Sequence, residues 1–77
     1  MAITVKYFAS LRERLGRAED ELPARTGITA ADLWRLATDE DALPPKVLIA
    51  VNQEYADLNH PVQDGDEVAF FPPVSGG

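Results

Sequence analysis

The sequence predicts an α+β roll, with one main helix packed across a mixed sheet of four or five strands. Three observations predict it. Alternating or apolar segments of strand length stand near both ends, at Ile3–Phe8 and Glu67–Phe71. Only one long run, from Ala30 to Ala37, carries apolar residues at helical spacing. Turn signals divide the remainder into short pieces that suit strands, loops and one short helix.

Ile3, Val5 and Tyr7 share one face of the first strand, opposite Thr4, Lys6 and Phe8. Phe8 is a large aromatic on an otherwise polar face. Ser10-Leu11-Arg12-Glu13 has the form of a capping box, and Gly16 stands where a helix stop belongs, which predicts a short helix. Glu19–Leu22 reads as an acidic second strand, followed by a loop marked by Pro23 and Gly27. Thr29-Ala30-Ala31-Asp32 opens the main helix with a second capping pattern. At about 100° per residue, Leu36, Leu33, Ala37, Ala30 and Trp34 span about 160° of its surface, with Trp34 at the margin and in the core.

That helix ends before Pro44-Pro45. Val47–Val51 is nearly continuous and apolar, as an interior strand is. Asn52-Gln53 makes a turn, and Glu54–Asp57 returns as a short strand carrying Tyr55. Asn59-His60-Pro61 and Asp64-Gly65-Asp66 are turn signals. In the last strand Val68 and Phe70 face the core, while Glu67 and Phe71 point away. Phe8, Phe71 and Tyr55 are thereby expected on the face away from the helix, either as a candidate partner surface or beneath loops or the tail.

Seventy-seven residues make one small domain. Chains of this size bury only about 60% of their unfolded surface and are stable by roughly 4–12 kcal/mol. So thin a core leaves little room for a substrate pocket, which favours a binding or carrier role. The chain has no cysteine, hence no disulfide framework and no thiol nucleophile. MAITVKYF is no secretory signal, and no apolar run approaches the roughly 20 residues of a membrane span. The expected location is cytoplasmic, away from membranes. A net charge of −6 opposes nucleic-acid binding and suits a protein partner with a basic face, although solubility alone also accounts for it.

The sequence offers no recognisable set of catalytic side chains. His60 is the only histidine and lacks partners for a zinc site or a base. Asp64-Gly65-Asp66-Glu67 lacks the twelve-residue calcium pattern. Glu19-Asp20-Glu21 and Asp39-Glu40-Asp41 read as wetted surface. No glycine-rich phosphate loop occurs, and Ser10 and Ser75 have no adjacent base.

What remains is the ending, FFPPVSGG. Pro72 cannot donate to a ladder and ends the last strand, dividing a domain at 1–71 from a tail at 72–77. Pro72-Pro73 favours a stiff polyproline conformation, and the tail has a reach of about 20 Å. Gly76 and Gly77 can thread a channel too narrow for side chains, and the Gly77 α-carboxylate is a reactive group once ATP has adenylated it, although Gly-Gly alone is equally the ending of a frayed terminus. With no phosphate loop here, the adenylating site belongs to another protein.

Val51-Asn52-Gln53, His60-Pro61-Val62 and the run from Asp64 to Gly77 resemble the small subunits of molybdopterin synthases. These are sulfur carriers of the ThiS/MoaD-like, ubiquitin-related kind. VKYFASLRERLG resembles the same family's first strand and helix. The resemblance implies a β-grasp, ubiquitin-like fold. It implies a carrier that binds no cofactor and whose Gly77 is adenylated with ATP by an E1-like enzyme and becomes a thiocarboxylate. The tail then delivers sulfur to cyclic pyranopterin monophosphate in the large subunit, two carriers on a dimeric large subunit forming a heterotetramer. By the same resemblance Phe8, Tyr55 and Phe71 form the apolar partner surface, with Val74, Ser75 and Gly76 in the inserted arm. Carriers for thiamine or tRNA thiolation, and ubiquitin-like modifiers or binding modules, remain alternatives.

Overall fold

Ile3, Val5 and Tyr7 are buried while Thr4 and Lys6 are partly exposed, so the period of two makes β1 (Ala2–Tyr7) a strand with one covered face. The computed structural model describes residues 2–23, 25–41, 43–44 and 46–72. Helix α1 (Ala9–Leu15) follows without the expected capping box, since its N-cap is Phe8, which makes no side-chain cap. The reason is that Phe8 still belongs to the sheet. Its N–H donates to the Phe70 carbonyl at 3.2 Å, so the chain turns at Ala9 and Ser10 falls inside the first turn. Gly16 closes α1 as expected, at φ 74°, where a side chain would be strained.

The acidic strand β2 (Glu19–Pro23) pairs antiparallel with β1 and forms a sheet edge, where Pro23 costs no ladder bond inside the sheet. Two further strands were not anticipated. β3 (Ile28–Thr29) pairs with β6 (Pro61–Val62) in a separate two-stranded sheet. Each is two residues long, too short to show a period, and Pro61, part of a turn signal in the sequence, lies in β6.

Helix α2 (Ala30–Thr38) starts on the capping box read from the sequence. Thr29 Oγ1 accepts from the Asp32 N–H at 3.3 Å, and the Thr29 N–H donates to Asp32 Oδ2 at 3.0 Å. Ala30, Leu33 and Trp34 are buried, and Ala37 packs against them. Leu36, expected in the buried arc, is 44% exposed. The buried arc is centred near Ala30, from which Trp34 lies about 40° and Leu36 about 120° around the helix, so Trp34 is inside it and Leu36 past its margin.

β4 (Leu48–Val51) and β5 (Glu54–Ala56) form a hairpin over Asn52-Gln53, whose φ values of 52° and 71° suit a two-residue turn. Both strands are one residue shorter than expected. β7 (Glu67–Phe71) lies between β1, which it pairs in parallel, and β4, which it pairs antiparallel. The sheet order is β2-β1-β7-β4-β5, the mixed five-stranded roll that the sequence predicts.

The core is aromatic. The Trp34 ring meets Phe70 at 5.0 Å and Tyr7 at 6.3 Å, both edge to face. Trp34 Nε1 is buried with no hydrogen-bond partner among the described residues, a defect of about 1–3 kcal/mol that the ring's burial must exceed. Tyr7 reaches past the apolar layer to donate to Asp20 Oδ2 at 2.8 Å. Arg17 Nε donates to the same oxygen at 2.6 Å, and Arg17 Nη2 donates to the Ala37 carbonyl at 2.7 Å. One guanidinium thus ties the end of α2 to the start of β2.

Burial pushes the Tyr7 phenol well above its ordinary value of 10.0, and the hydrogen bond to Asp20 and that carboxylate's charge push further. The neutral phenol is the form the fold holds. Its contribution is complete below pH 10.0 and is lost as pH rises beyond that value. Urea melts of wild type and Tyr7→Phe across this range check it. The wild type should lose stability more steeply above pH 10.0 than the variant, whose cost at neutral pH is about 1 kcal/mol. Equal slopes would remove Tyr7 as the alkaline-sensitive group.

Candidate functional site

Because strand side chains alternate, the neighbours of the core residues Ile49, Val51, Val68 and Phe70 point to the opposite face of the sheet. Pairing register sorts them into two rows. Tyr55 opposes Ala50, Ala50 opposes Ala69, and Ala69 opposes Lys6. One step along, Leu48 opposes Phe71, and Phe8 follows Tyr7, which is paired with Phe70. Phe8 and Phe71 stack with ring centroids 4.7 Å apart and planes 11° apart. Phe8 holds this place because its backbone is extended and bonded to β7.

No element of the described chain covers this face. Phe8 is 40% exposed and Tyr55 80%, whereas Ala50 and Ala69 are each only 7% exposed. The two methyls form the floor of a depression of about 380 Å³ that Lys6, Phe8, Gln53, Tyr55, Glu67 and Phe71 surround. Lys6 Nζ lies 3.2 Å from Glu67 Oε1, so the charges at this margin balance within the chain. Asn52 fixes the other margin. Its Nδ2 donates to Asp66 Oδ1 at 2.9 Å, and its Oδ1 accepts from the Glu67 N–H at 3.0 Å. The hairpin carrying Gln53 and Tyr55 is thereby pinned to the start of β7.

Of the residues expected to meet partners, Phe8, Phe71 and Tyr55 lie on this one face, the first two in contact and Tyr55 across the alanine floor. β7 ends at Phe71 and Pro72 follows outside the strand. Pro73, Val74, Ser75, Gly76 and Gly77 lie outside the described residues. Sequence reasoning missed Leu48, Ala50, Ala69 and the Lys6–Glu67 pair. Alternation within Val47–Val51 separates Leu48 and Ala50 from Ile49 and Val51, but a continuous apolar run hides it.

The other candidates keep structural roles. His60 is exposed, and its backbone accepts from the Ala30 N–H at 3.0 Å. Asp66 Oδ2 accepts from the Gln63 N–H at 2.8 Å, closing the turn on itself. Among the described residues, no group of three or more histidines and carboxylates is placed to hold a metal ion. No helix among them is long and apolar enough to cross a membrane.

Residues 5–77 match the ThiS family. The molybdopterin synthase sulfur carrier subunit of Escherichia coli (strain K12) is 43% identical, with 97% of this chain and 99% of that one covered. SAMP1 from Haloferax volcanii shares the fold with a TM-score of 0.81 at 29% identity, covering 100% of both chains. A chain in the complex of subunits 1 and 2 of the molybdopterin-converting factor from Helicobacter pylori 26695 matches with a TM-score of 0.65 at 25% identity, again covering 100% of both. The fold is the ubiquitin-like β-grasp.

The exposed aromatics should be dispensable for folding. Phe8→Ser is expected to cost about 1–2 kcal/mol, the worth of one stacked pair plus partial burial. Tyr55→Ser should stay within about 0.5 kcal/mol of wild type. Urea denaturation measures both. A loss above about 3 kcal/mol from either would make it part of the core.

Proposed function

The chain belongs to the ThiS family, and we propose that it serves there as the cytoplasmic sulfur carrier subunit of a molybdopterin synthase. The identity of 43% to the Escherichia coli sulfur carrier subunit, over 97% of this chain, carries the reading. The geometry is consistent with it, since an uncovered aromatic face lies at the root of the C-terminal arm.

A carboxylate resists nucleophiles until it gains a leaving group. An E1-like enzyme joins the Gly77 carboxylate to AMP from ATP, releasing pyrophosphate. A sulfur donor then displaces AMP, and the terminal group becomes a thiocarboxylate. In the large subunit this sulfur attacks a side-chain carbon of cyclic pyranopterin monophosphate, and the C–O bond at that carbon breaks as the C–S bond forms. Water cleaves the acyl–sulfur bond, which leaves sulfur on the pterin and returns Gly77 as a carboxylate. A second carrier molecule supplies the second dithiolene sulfur.

This chain contributes no catalytic side chain and no bound cofactor in such a cycle. It contributes position. Gly76 and Gly77 keep the arm slim, Val74 and Ser75 line the inserted segment, and Phe8, Phe71 and Tyr55 hold the domain against its partner. A second reading draws on the likeness to SAMP1, whose full name among the matched structures is small archaeal modifier protein 1. There the activated Gly77 would be joined to a lysine of another protein.

Intact mass measurement separates these readings. With ATP, an E1-like enzyme and a sulfur source, the protein should gain the mass of an oxygen-to-sulfur exchange at Gly77. Adding the large subunit and the pterin precursor should reverse it. Gain without reversal points to a carrier for another thiolation pathway, and an isopeptide-linked product to the modifier. Deleting Gly77 should abolish sulfur gain and leave the melting temperature nearly unchanged. A large fall in melting temperature would mean that the terminus is part of the folded core.

A further inference from the structure

We propose that in the free chain the C-terminal arm folds back into the depression over Ala50 and Ala69 and seats the Gly77 carboxylate beside Lys6. The chain thereby caps its own open face until a partner draws the arm out. The contact needs only a chain that ends at Gly77, whereas its role as a cap rests on the sulfur-carrier reading.

Length selects this occupant. Phe71 is a wall of the depression and Pro72 is the last described residue, so the arm starts at the rim. Pro73 has the fixed φ of the first central residue of a turn, which puts the reversal at Pro73-Val74. Ser75, Gly76 and Gly77 then run back over β7, a reach of about 10 Å. β1 and β4 occupy both edges of β7, and the core fills its helix side, so the returning segment lies on the open face. Ala69 stands two residues before Phe71, about 7 Å along the strand, and Lys6 is its partner on β1. Three residues are enough to bring the terminus to Lys6.

Shape and charge fit the same segment. Ala50 and Ala69 present only methyls, each 7% exposed, beneath a space of about 380 Å³ between Tyr55 and the Phe8–Phe71 stack. Two glycines let a backbone lie close on such a floor, and the open mouth keeps water on their peptide groups. Among the described residues that line the depression, Lys6 is the only cation. Its ammonium has three donors, and Glu67 Oε1, at 3.2 Å, takes one of them. The tether adds to this hold. An end anchored at the rim meets the floor at an effective concentration on the order of 1 mM, against which any separate occupant competes. An exposed ion pair is weak, so the seat holds the arm without locking it.

Nuclear Overhauser spectra of the free, full-length chain at low salt test this. Cross-peaks should join the Ala50 and Ala69 methyls to the Gly76 and Gly77 α-protons. Lys6→Met should weaken them at least about twofold, and so should about 0.5 M salt, which screens the carboxylate from the ammonium. Glu67→Gln removes the competing carboxylate and should strengthen them. Both side chains are only half-buried, so both variants should melt within about 5 °C of wild type.

A chain that gains sulfur at Gly77 but shows no such cross-peaks overturns the fold-back and leaves the sulfur-carrier reading intact. Cross-peaks in a chain that gains no sulfur support the fold-back and remove that reading. Cross-peaks at full strength in Lys6→Met overturn the seat at Lys6. Mixing isotope-labelled with unlabelled chains identifies the owner of the arm. If the cross-peaks run between the two populations, the arm lies on a second copy and the proposal fails.

Discussion

The parallel pairing of β1 with β7 is the constraint on which the rest of this fold depends. A parallel pair cannot be closed by a tight turn, so the chain between the two strands must cross over and return. That crossover contains α2, whose apolar side covers the face where Val5, Tyr7, Val68 and Phe70 lie. It also contains the β4–β5 hairpin, which extends the sheet on the other side of β7. Placing the last strand at the centre puts its C-terminal end, Phe71 and Pro72, in the middle of the sheet.

The two faces of β7 are used differently. On one side Phe70 meets Trp34 and Tyr7, the three large rings of a thin core, and Arg17 and Asp20 fasten the rim of that cluster. On the other side Phe71 stacks on Phe8 in view of solvent. Alternation alone makes consecutive phenylalanines serve opposite purposes. A domain of this size has few apolar residues to spare, and the described chain leaves Phe8, Leu48 and Tyr55 exposed, which in the proposed role suits a face that a partner covers.

In the proposed role the reacting group is the end of the backbone, so the folded domain needs no catalytic residue. Its tasks are to present the arm at a fixed place and to offer a face that a partner recognises. Both tasks meet at Phe71, the last residue of β7 and a wall of the open face. Asn52 supports them by tying the hairpin that carries Tyr55 to the first residue of β7.

Local rules were legible in the sequence. The period of two in β1, the Thr29–Asp32 capping box, the Asn52-Gln53 turn and the strand stop at Pro72 each depend on residues close in the chain. So the roll, the expected core ring of Trp34 and the outward aromatics Phe8 and Phe71 could all be read before any coordinates. Long-range pairing decided the rest. Whether Ser10 caps α1 depended on Phe8 bonding to Phe70, 62 positions later in the chain. Leu36 lost its place in the core because the centre of the sheet, and not the composition of the helix, fixed the buried arc. Ala50 and Ala69 became a floor only when register set them side by side between Tyr55 and Phe71, a relation that no local pattern encodes.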